Sequence, residues 1–329
     1  MITNEMKEAC DRKKDEIAND QKFQTWISDI RCSVNMYKNV QNDRIRLANQ
    51  TKTKKTGDNQ KIPDNQKNWK ISDDQREFNT TTLKLREELE KDIEKRLKVL
   101  IKNDDYPIFD NFLSNITGLG AVSSAILLSS FRPENIYYVS NMFSYAGIVT
   151  GKDKLIKGQK ATFDKNLKCK LLGVIGPNFI KLKSEYAQYY YQKRIHLINR
   201  DVLLIRDGKM SESFDKPEEG KLPRLTAAHH SRMATRYMIQ KFVRDYYVAY
   251  RTIMNIPVVP GYEESYLNLT HVGENFVDYE SVLSWKDETK EEHAERRQKV
   301  LHNIEEQRKV LYNLMIRHGY KEEDWWIRT

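Results

Sequence analysis

Apolar residues recur every three or four positions along most of the chain, which is the spacing that places them on one face of an α-helix. Residues 4–50 follow this spacing, and so do residues 82–102, 227–254 and 288–316. Runs that alternate apolar and polar residues, as a half-buried strand does, are scarce. The pattern therefore predicts a mainly α fold, in which the short apolar run 202–205 is the candidate for an exception.

Interruptions of the pattern divide the chain into segments. Residues 51–81 are rich in Lys, Asn, Gln and Asp and have almost no side chains to bury, so we expect a flexible polar linker or loop there. The other expected segments are an N-terminal helical segment (1–50), a long amphipathic helix (82–106), a helix-hairpin-helix transposase-like domain (107–270) and a C-terminal helical tail (271–329).

Composition excludes some classes of protein and favours one kind of partner. No stretch of the 329 residues approaches the roughly 20 apolar residues that a membrane-spanning helix needs, so we expect no membrane partner. The 56 basic and 47 acidic residues leave a formal net charge of +9, which favours a polyanion. The cysteines are widely spaced and the N-terminus lacks an apolar signal core, so we expect reduced thiols in a cytoplasm.

The first candidate site is a glycine turn within residues 109–131. Apolar residues lead into Gly118-Leu119-Gly120, and an apolar helix follows from Ala121, which is the pattern of a helix-hairpin-helix motif. Glycines allow a tight turn, and amide groups at the start of the second helix can then bind a phosphate without contacting any base. An ordinary tight turn between two helices would have the same pattern.

Basic residues form two further candidate sites for phosphate groups. Lysines crowd residues 152–170, and arginines recur on one expected face of the helix at 227–254 together with Gln240. Lysine neutralises phosphate charge, and arginine can donate two hydrogen bonds to one phosphate. The candidate nucleic-acid-binding residues are Lys152, Lys154, Lys157, Lys160, Lys165, Lys168, Arg232, Arg236 and Arg244, with Lys170 and Arg251 in the same two groups. A solvated loop, and arginines that pair with acids elsewhere, would also explain these patterns.

Catalytic and metal-binding patterns are poor. His229 and His230 are adjacent and therefore point in different directions on a helix, and the sequence has no Cys/His cluster. Acidic residues lie on polar segments, without the buried strand that would hold a two-metal site. We therefore expect no resident cofactor, with Mg²⁺ required only if the protein is catalytically active.

The stretch 116–150 resembles the C-terminal transposase domain of the DEDD-type insertion-sequence transposases, the bridge-RNA-guided recombinases. The shared pattern is a Gly-x-Gly turn, a helix of small residues and the tripeptide Tyr145-Ala146-Gly147. Short transposase-like proteins of phages and archaea, which lack the family's ribonuclease-H-like domain, are similar over about residues 35–270. Their other shared positions are matched here by Gln41, Arg44, Ile45, Asn49, Arg232, Arg236 and Phe242.

The resemblance implies a DNA-binding protein of mobile-element or phage biology, with a structured RNA as a second partner. The family's serine nucleophile has no counterpart, because no serine occurs between Ser144 and Ser184. Thr150 is the nearest hydroxyl, but a secondary alcohol without an identifiable base is poorly suited to attack a phosphodiester. An active recombinase with a non-standard nucleophile and an RNA-binding ribonucleoprotein component remain alternatives. The N- and C-terminal helices are candidate surfaces for a homo-oligomer.

Overall fold

The computed structural model of the protein describes residues 3–51, 72–149, 158, 160–206, 227–259, 276–277 and 279–320. The α-helices in this part of the chain are α1 (Asn4–Asn19), α2 (Gln21–Thr51), α3 (Asp73–Leu100), α4 (Ile108–Asn111), α5 (Ala121–Ser130), α6 (Val139–Tyr145), α7 (Lys165–Lys170), α8 (Gly176–Lys181), α9 (Ala187–Arg206), α10 (Ala227–Ile253), α11 (Tyr279–Ser284) and α12 (Lys290–Arg317). Short 3₁₀ turns (Leu113–Asn115, Pro133–Asn135 and Trp285–Asp287) and a π-helical turn (Leu171–Ile175) connect some of them. The described residues contain no strand, which confirms the mainly α prediction.

The N-terminal part of the fold is a long antiparallel pair, α2 and α3, on which α1 folds back. Asp20 separates α1 from α2, and its Oδ1 accepts a hydrogen bond from the Phe23 backbone N–H over 3.1 Å, which caps α2. Further along, the Trp26 Nε1–H donates to the Leu100 carbonyl oxygen over 2.6 Å. Two helices therefore cover residues 4–50, and this hydrogen bond sets the register of α2 against α3.

α10 is the central helix of the remaining fold. It packs against α4, α6, α8, α9 and α11, and α12 packs against α9. The C-terminal half of α10 is enclosed, because Phe242, Tyr246 and Tyr250 are fully buried among other aromatic side chains. One hydrophobic core extends from Phe23 in α2 through α10 to Met315 in α12.

Two segments differ from their predictions. α3 begins at Asp73, so residues 73–81, which were expected to belong to the polar linker, are helical. The Ser72 Oγ accepts a hydrogen bond from the Gln75 backbone N–H over 3.2 Å and caps this helix, whose first turns carry too few apolar side chains to show a period. The run 202–205, the expected exception to the helical pattern, continues α9. Short apolar runs have no period of their own, so their neighbours decide their conformation.

Other predictions fall at least partly outside the described residues: the middle of the linker (52–71) and the end of the tail (321–329). Among the helices that are described, none has the length and apolarity needed to cross a bilayer.

Candidate nucleic-acid interface

The glycine turn joins a short first arm to α5. The arm consists of the four-residue α4 and the 3₁₀ turn Leu113–Asn115. Gly118 has a φ of +91°, in the left-handed region that favours glycine. Gly120 is the N-cap of α5 with a φ of −79°, which any residue adopts. The predicted tight turn is therefore present at Gly118, whereas Gly120 needs no special backbone.

A buried carboxylate already occupies two hydrogen-bond donors of this turn. The Glu185 side chain, whose residue is 1% exposed, accepts from the Thr117 backbone N–H over 3.2 Å and from the Thr117 Oγ1 hydroxyl over 2.9 Å. Arg296 of α12 donates to the same carboxylate over 3.1 Å and to Glu288 over 2.8 Å. Thr117 therefore binds an internal anion, which leaves the amide groups at the start of α5 as the candidates for a phosphate.

The two glycines should respond differently to alanine substitution. A Cβ at Gly118 would lie 3.3 Å from the Asn178 carbonyl oxygen, whereas no described atom lies within 4 Å of a Cβ at Gly120. We expect Gly118→Ala to lower the free energy of unfolding by about 1–2 kcal/mol because of its left-handed backbone. Gly120→Ala should lower it by less than about 1 kcal/mol. Urea unfolding measures both, and equal losses would contradict this assignment.

The structure describes only part of the lysine-rich segment. Lys152, Lys154 and Lys157 lie outside the described residues, and so does Thr150. Within them, the more exposed candidates are Lys160 and Lys165.

Lys168 lies beside the Tyr-Ala-Gly tripeptide. Its Nζ is 4.8 Å from the centroid of the Phe163 ring. The same ring packs so closely on Gly147 that a Cβ there would lie 2.5 Å from it, and Gly147 has a φ of +64°. The Asp164 N–H donates to the Tyr145 carbonyl oxygen over 2.8 Å. These contacts bring the end of the lysine-rich segment against the tripeptide.

The side chains on the predicted arginine face of α10 become less exposed towards the middle of the helix. Arg232 is exposed near the N-terminus, Arg236 is half-buried one turn later, and the Arg244 Nε–H donates to Asp245 over 3.3 Å. Gln240, on the same face, donates to the Ile148 carbonyl oxygen over 2.9 Å. The structure therefore places the residue just before the lysine-rich segment against the arginine-bearing half of α10.

Arg251 does not belong to an exposed face, contrary to the prediction. Its spacing is that of the other arginines, but the residue is 1% exposed because the C-terminal half of α10 is enclosed. Its guanidinium donates to backbone carbonyl oxygens of Pro133, Ile136 and Pro257. Arg251 is therefore a structural residue of the core.

A cluster of positive charges formed by α9 and α10 was missed by the sequence analysis. The cluster, here called the cationic face, consists of Lys193, His196 and Arg200 of α9 with Tyr237 and Lys241 of α10. The Nζ atoms of Lys193 and Lys241 lie 5.0 and 5.5 Å from the centroid of the Tyr237 ring. The spacing of 193, 196 and 200 on one helical face was the signal available in the sequence.

The charges of the cationic face act on one another. Partial desolvation by neighbouring atoms, and then the charges of Lys193 and Arg200, lower the pKa of His196, whose side chain still contacts solvent. Burial and Arg200 likewise lower the pKa of Lys193. Arg200 is held by Asp201 over 2.8 Å, and its side chain is 40% exposed. Burial is the larger cause of both shifts, and the contribution of like charges shows that Lys193, His196 and Arg200 lie close together.

Within the described residues, no group of three or more His, Cys, Asp and Glu side chains is placed to hold a metal ion. Comparisons with protein-family models, with curated proteins and with solved structures find no match. The resemblance to insertion-sequence transposases therefore stays a prediction, as do a structured RNA partner and self-association through the terminal helices.

Proposed function

We propose that this protein binds nucleic acid, DNA in the first place, through the cationic face and the neighbouring basic residues of α10. The observation that carries the proposal is the convergence of Lys193 and Lys241 on the Tyr237 ring, whose centroid lies 5.0 and 5.5 Å from their Nζ atoms, beside His196 and Arg200 on α9. Holding like charges together is unfavourable, and a bound polyanion relieves that repulsion. Phosphate groups spaced along a nucleic acid match such a row of positive charges.

The predicted arginines add further positive charge on α10. Arg232 and Arg236 lie on the same helix as Tyr237 and Lys241, at its less buried N-terminal half. Contacts from lysine and arginine to phosphates position a protein on nucleic acid but do not distinguish one base from another. We therefore propose weakly sequence-specific binding, in keeping with a DNA-binding relative of the transposases that the sequence resembles. The catalytic alternative depends on Thr150, which lies outside the described residues.

Salt dependence tests the electrostatic origin of binding. If about five basic residues contact phosphates of duplex DNA, the logarithm of the binding constant should fall against the logarithm of salt concentration with a slope of about −4 to −5. Fluorescence anisotropy of a labelled duplex measures this slope. An affinity that stays the same between low and moderate salt would contradict the proposal. Sequencing of copurified nucleic acid, after separate DNase and RNase treatments, would show which polymer the protein carries.

Binding should also strengthen at acidic pH through His196. Because its pKa is lowered, the free ring is mostly neutral at pH 7, and it gains a positive charge as the pH falls below about 6.5. A bound phosphate favours the protonated ring, so affinity for duplex DNA should rise between about pH 7.5 and pH 5.5. The variant His196→Gln should show a flatter pH profile. Identical profiles for both proteins would exclude His196 from the interface.

A further inference from the structure

A cavity of about 320 Å³ lies among α2, α3, α5 and the π-helical turn. It shares no lining residue with the cationic face. Part of its wall is apolar and includes Ile45, Val122 and Val174. Ile45 is 46% exposed and Val174 is 38% exposed, so the cavity opens to solvent between apolar side chains. An open cavity of this size with a partly apolar wall suits a small, partly apolar ligand.

A row of hydrogen bonds crosses the polar side of the cavity. The Lys170 Nζ donates to the Gln41 Oε1 over 3.2 Å. The Gln41 Nε2 donates to the Tyr37 hydroxyl oxygen over 3.1 Å and to Glu90 over 3.2 Å. The Tyr37 hydroxyl donates to the Glu94 Oε1 over 3.3 Å. The row therefore has an ammonium group at one end and a carboxylate at the other.

Both ends of the row can make further hydrogen bonds. The Glu94 carboxylate has a second oxygen, and the Lys170 ammonium has three N–H groups, of which the bond to Gln41 uses one. Burial and then the neighbouring Lys38 lower the pKa of Lys170, while Glu90, which is paired with Arg44, opposes this shift. A second ammonium group therefore lies at this end. The cavity therefore offers a ligand an acceptor at one end and positive charge at the other.

We propose that this cavity binds a guanine base. The Watson–Crick edge of guanine has two adjacent N–H donors, N1 and N2, which one carboxylate can accept together, and its O6 and N7 atoms accept hydrogen bonds from lysine. Glu94 would accept from N1 and N2, and Lys170 would donate to O6. Adenine and cytosine pair a donor with an adjacent acceptor, and uracil has a single ring N–H between two carbonyls, so each leaves the carboxylate poorly matched.

The local backbone also favours a binding site here. Val174 belongs to the π-helical turn, and π-helical turns occur often at functional sites because they break the regular helical hydrogen-bond pattern. Lys38, beside Lys170, provides positive charge for a phosphate attached to the base, while Lys170 donates to O6. If the bound guanine is part of a nucleic-acid strand, this inference rests on the proposed function. A free guanine nucleotide would bind in the cavity even if the protein did not bind nucleic acid.

Isothermal titration calorimetry of the full chain with the four nucleoside monophosphates tests the proposal. GMP should bind at least about tenfold more tightly than AMP, CMP or UMP. Glu94→Gln should weaken GMP binding about tenfold or more and leave the affinity for duplex DNA unchanged. The matched control is Glu88→Gln, which removes an exposed carboxylate of the same helix that does not line the cavity. It should bind GMP as the wild type does.

Several outcomes would overturn the guanine site: no GMP binding at millimolar concentration, equal affinities for all four nucleotides, or unchanged GMP binding by Glu94→Gln. If Glu94→Gln fails to fold, Val174→Trp replaces it, because this partly exposed side chain borders the cavity and a large ring there should block GMP. A folded Val174→Trp protein that binds GMP normally would equally overturn the proposal.

Short single strands distinguish a free nucleotide from a base within a polymer. One strand is pentathymidine, and the other has a guanine in place of the central thymine. If the guanine strand binds more tightly and Glu94→Gln abolishes this difference, the site binds a base within a strand. GMP binding without this preference supports a free nucleotide in the same site. Because duplex binding is measured through the cationic face, its failure alongside Glu94-dependent GMP binding would overturn the proposed function and leave the guanine site standing.

Discussion

Replacement of Arg251 by methionine should lower the free energy of unfolding by about 3–5 kcal/mol, whereas Arg232→Met should change it by less than about 0.5 kcal/mol. The two arginines have positions on one face of α10, but only Arg251 is enclosed. Its guanidinium donates to the carbonyl oxygens of Pro133, Ile136 and Pro257, and methionine would leave these oxygens buried without their donor. The exposed Arg232 loses little when truncated.

Urea unfolding followed by circular dichroism measures both free energies. Arg251→Lys provides a graded control, since lysine keeps the charge but lacks the planar fork that reaches several carbonyl oxygens at once. We expect its stability to lie between those of the wild type and Arg251→Met. Stability of Arg251→Met within about 1 kcal/mol of the wild type would show that the core does not depend on this arginine.

Removal of two charges from the proposed interface should weaken binding strongly. The double variant Lys193→Gln with Arg232→Gln should bind duplex DNA about 50-fold more weakly at about 0.1 M salt. Each lost phosphate contact reduces the steepness of the plot of log binding constant against log salt concentration by roughly 0.9. The slope of the double variant should therefore be shallower by about 2. Fluorescence anisotropy over a series of salt concentrations measures both quantities, and a thermal melt shows whether the variant remains folded.

A control variant with the same loss of charge distinguishes an effect of the proposed interface from an effect of net charge. Lys98→Gln with Lys299→Gln removes the same charge from exposed positions on α3 and α12. This variant should bind within about twofold of the wild type, because long-range interactions between exposed charges are screened beyond roughly 10 Å. Equal losses in the two double variants would mean that binding depends on total charge, and the cationic face with the neighbouring basic residues of α10 would no longer be the interface.

The long helices could be predicted because their signals are local. The spacing of apolar residues predicted a helix at 227–254, and α10 spans Ala227–Ile253. The tail helix was expected at 288–316 and spans Lys290–Arg317, where Thr289 and Glu292 form a capping box. Helical periodicity and capping involve residues within a few positions of one another, so the sequence alone was sufficient to identify both helices.

Burial and contacts between distant residues required the tertiary structure. Arg232 and Arg251 share a helical face and a residue type, and only the elements packed around the C-terminal half of α10 make one exposed and the other buried. Lys193 and Lys241 converge on Tyr237 because α9 packs against α10, although the two lysines are far apart in sequence. Glu185 likewise meets Thr117 only in the folded chain. The sequence by itself determined which segments are helical, because hydrophobic period and capping are local. Tertiary packing alone decided which polar groups are buried and which charges meet, because each depends on helices distant in sequence.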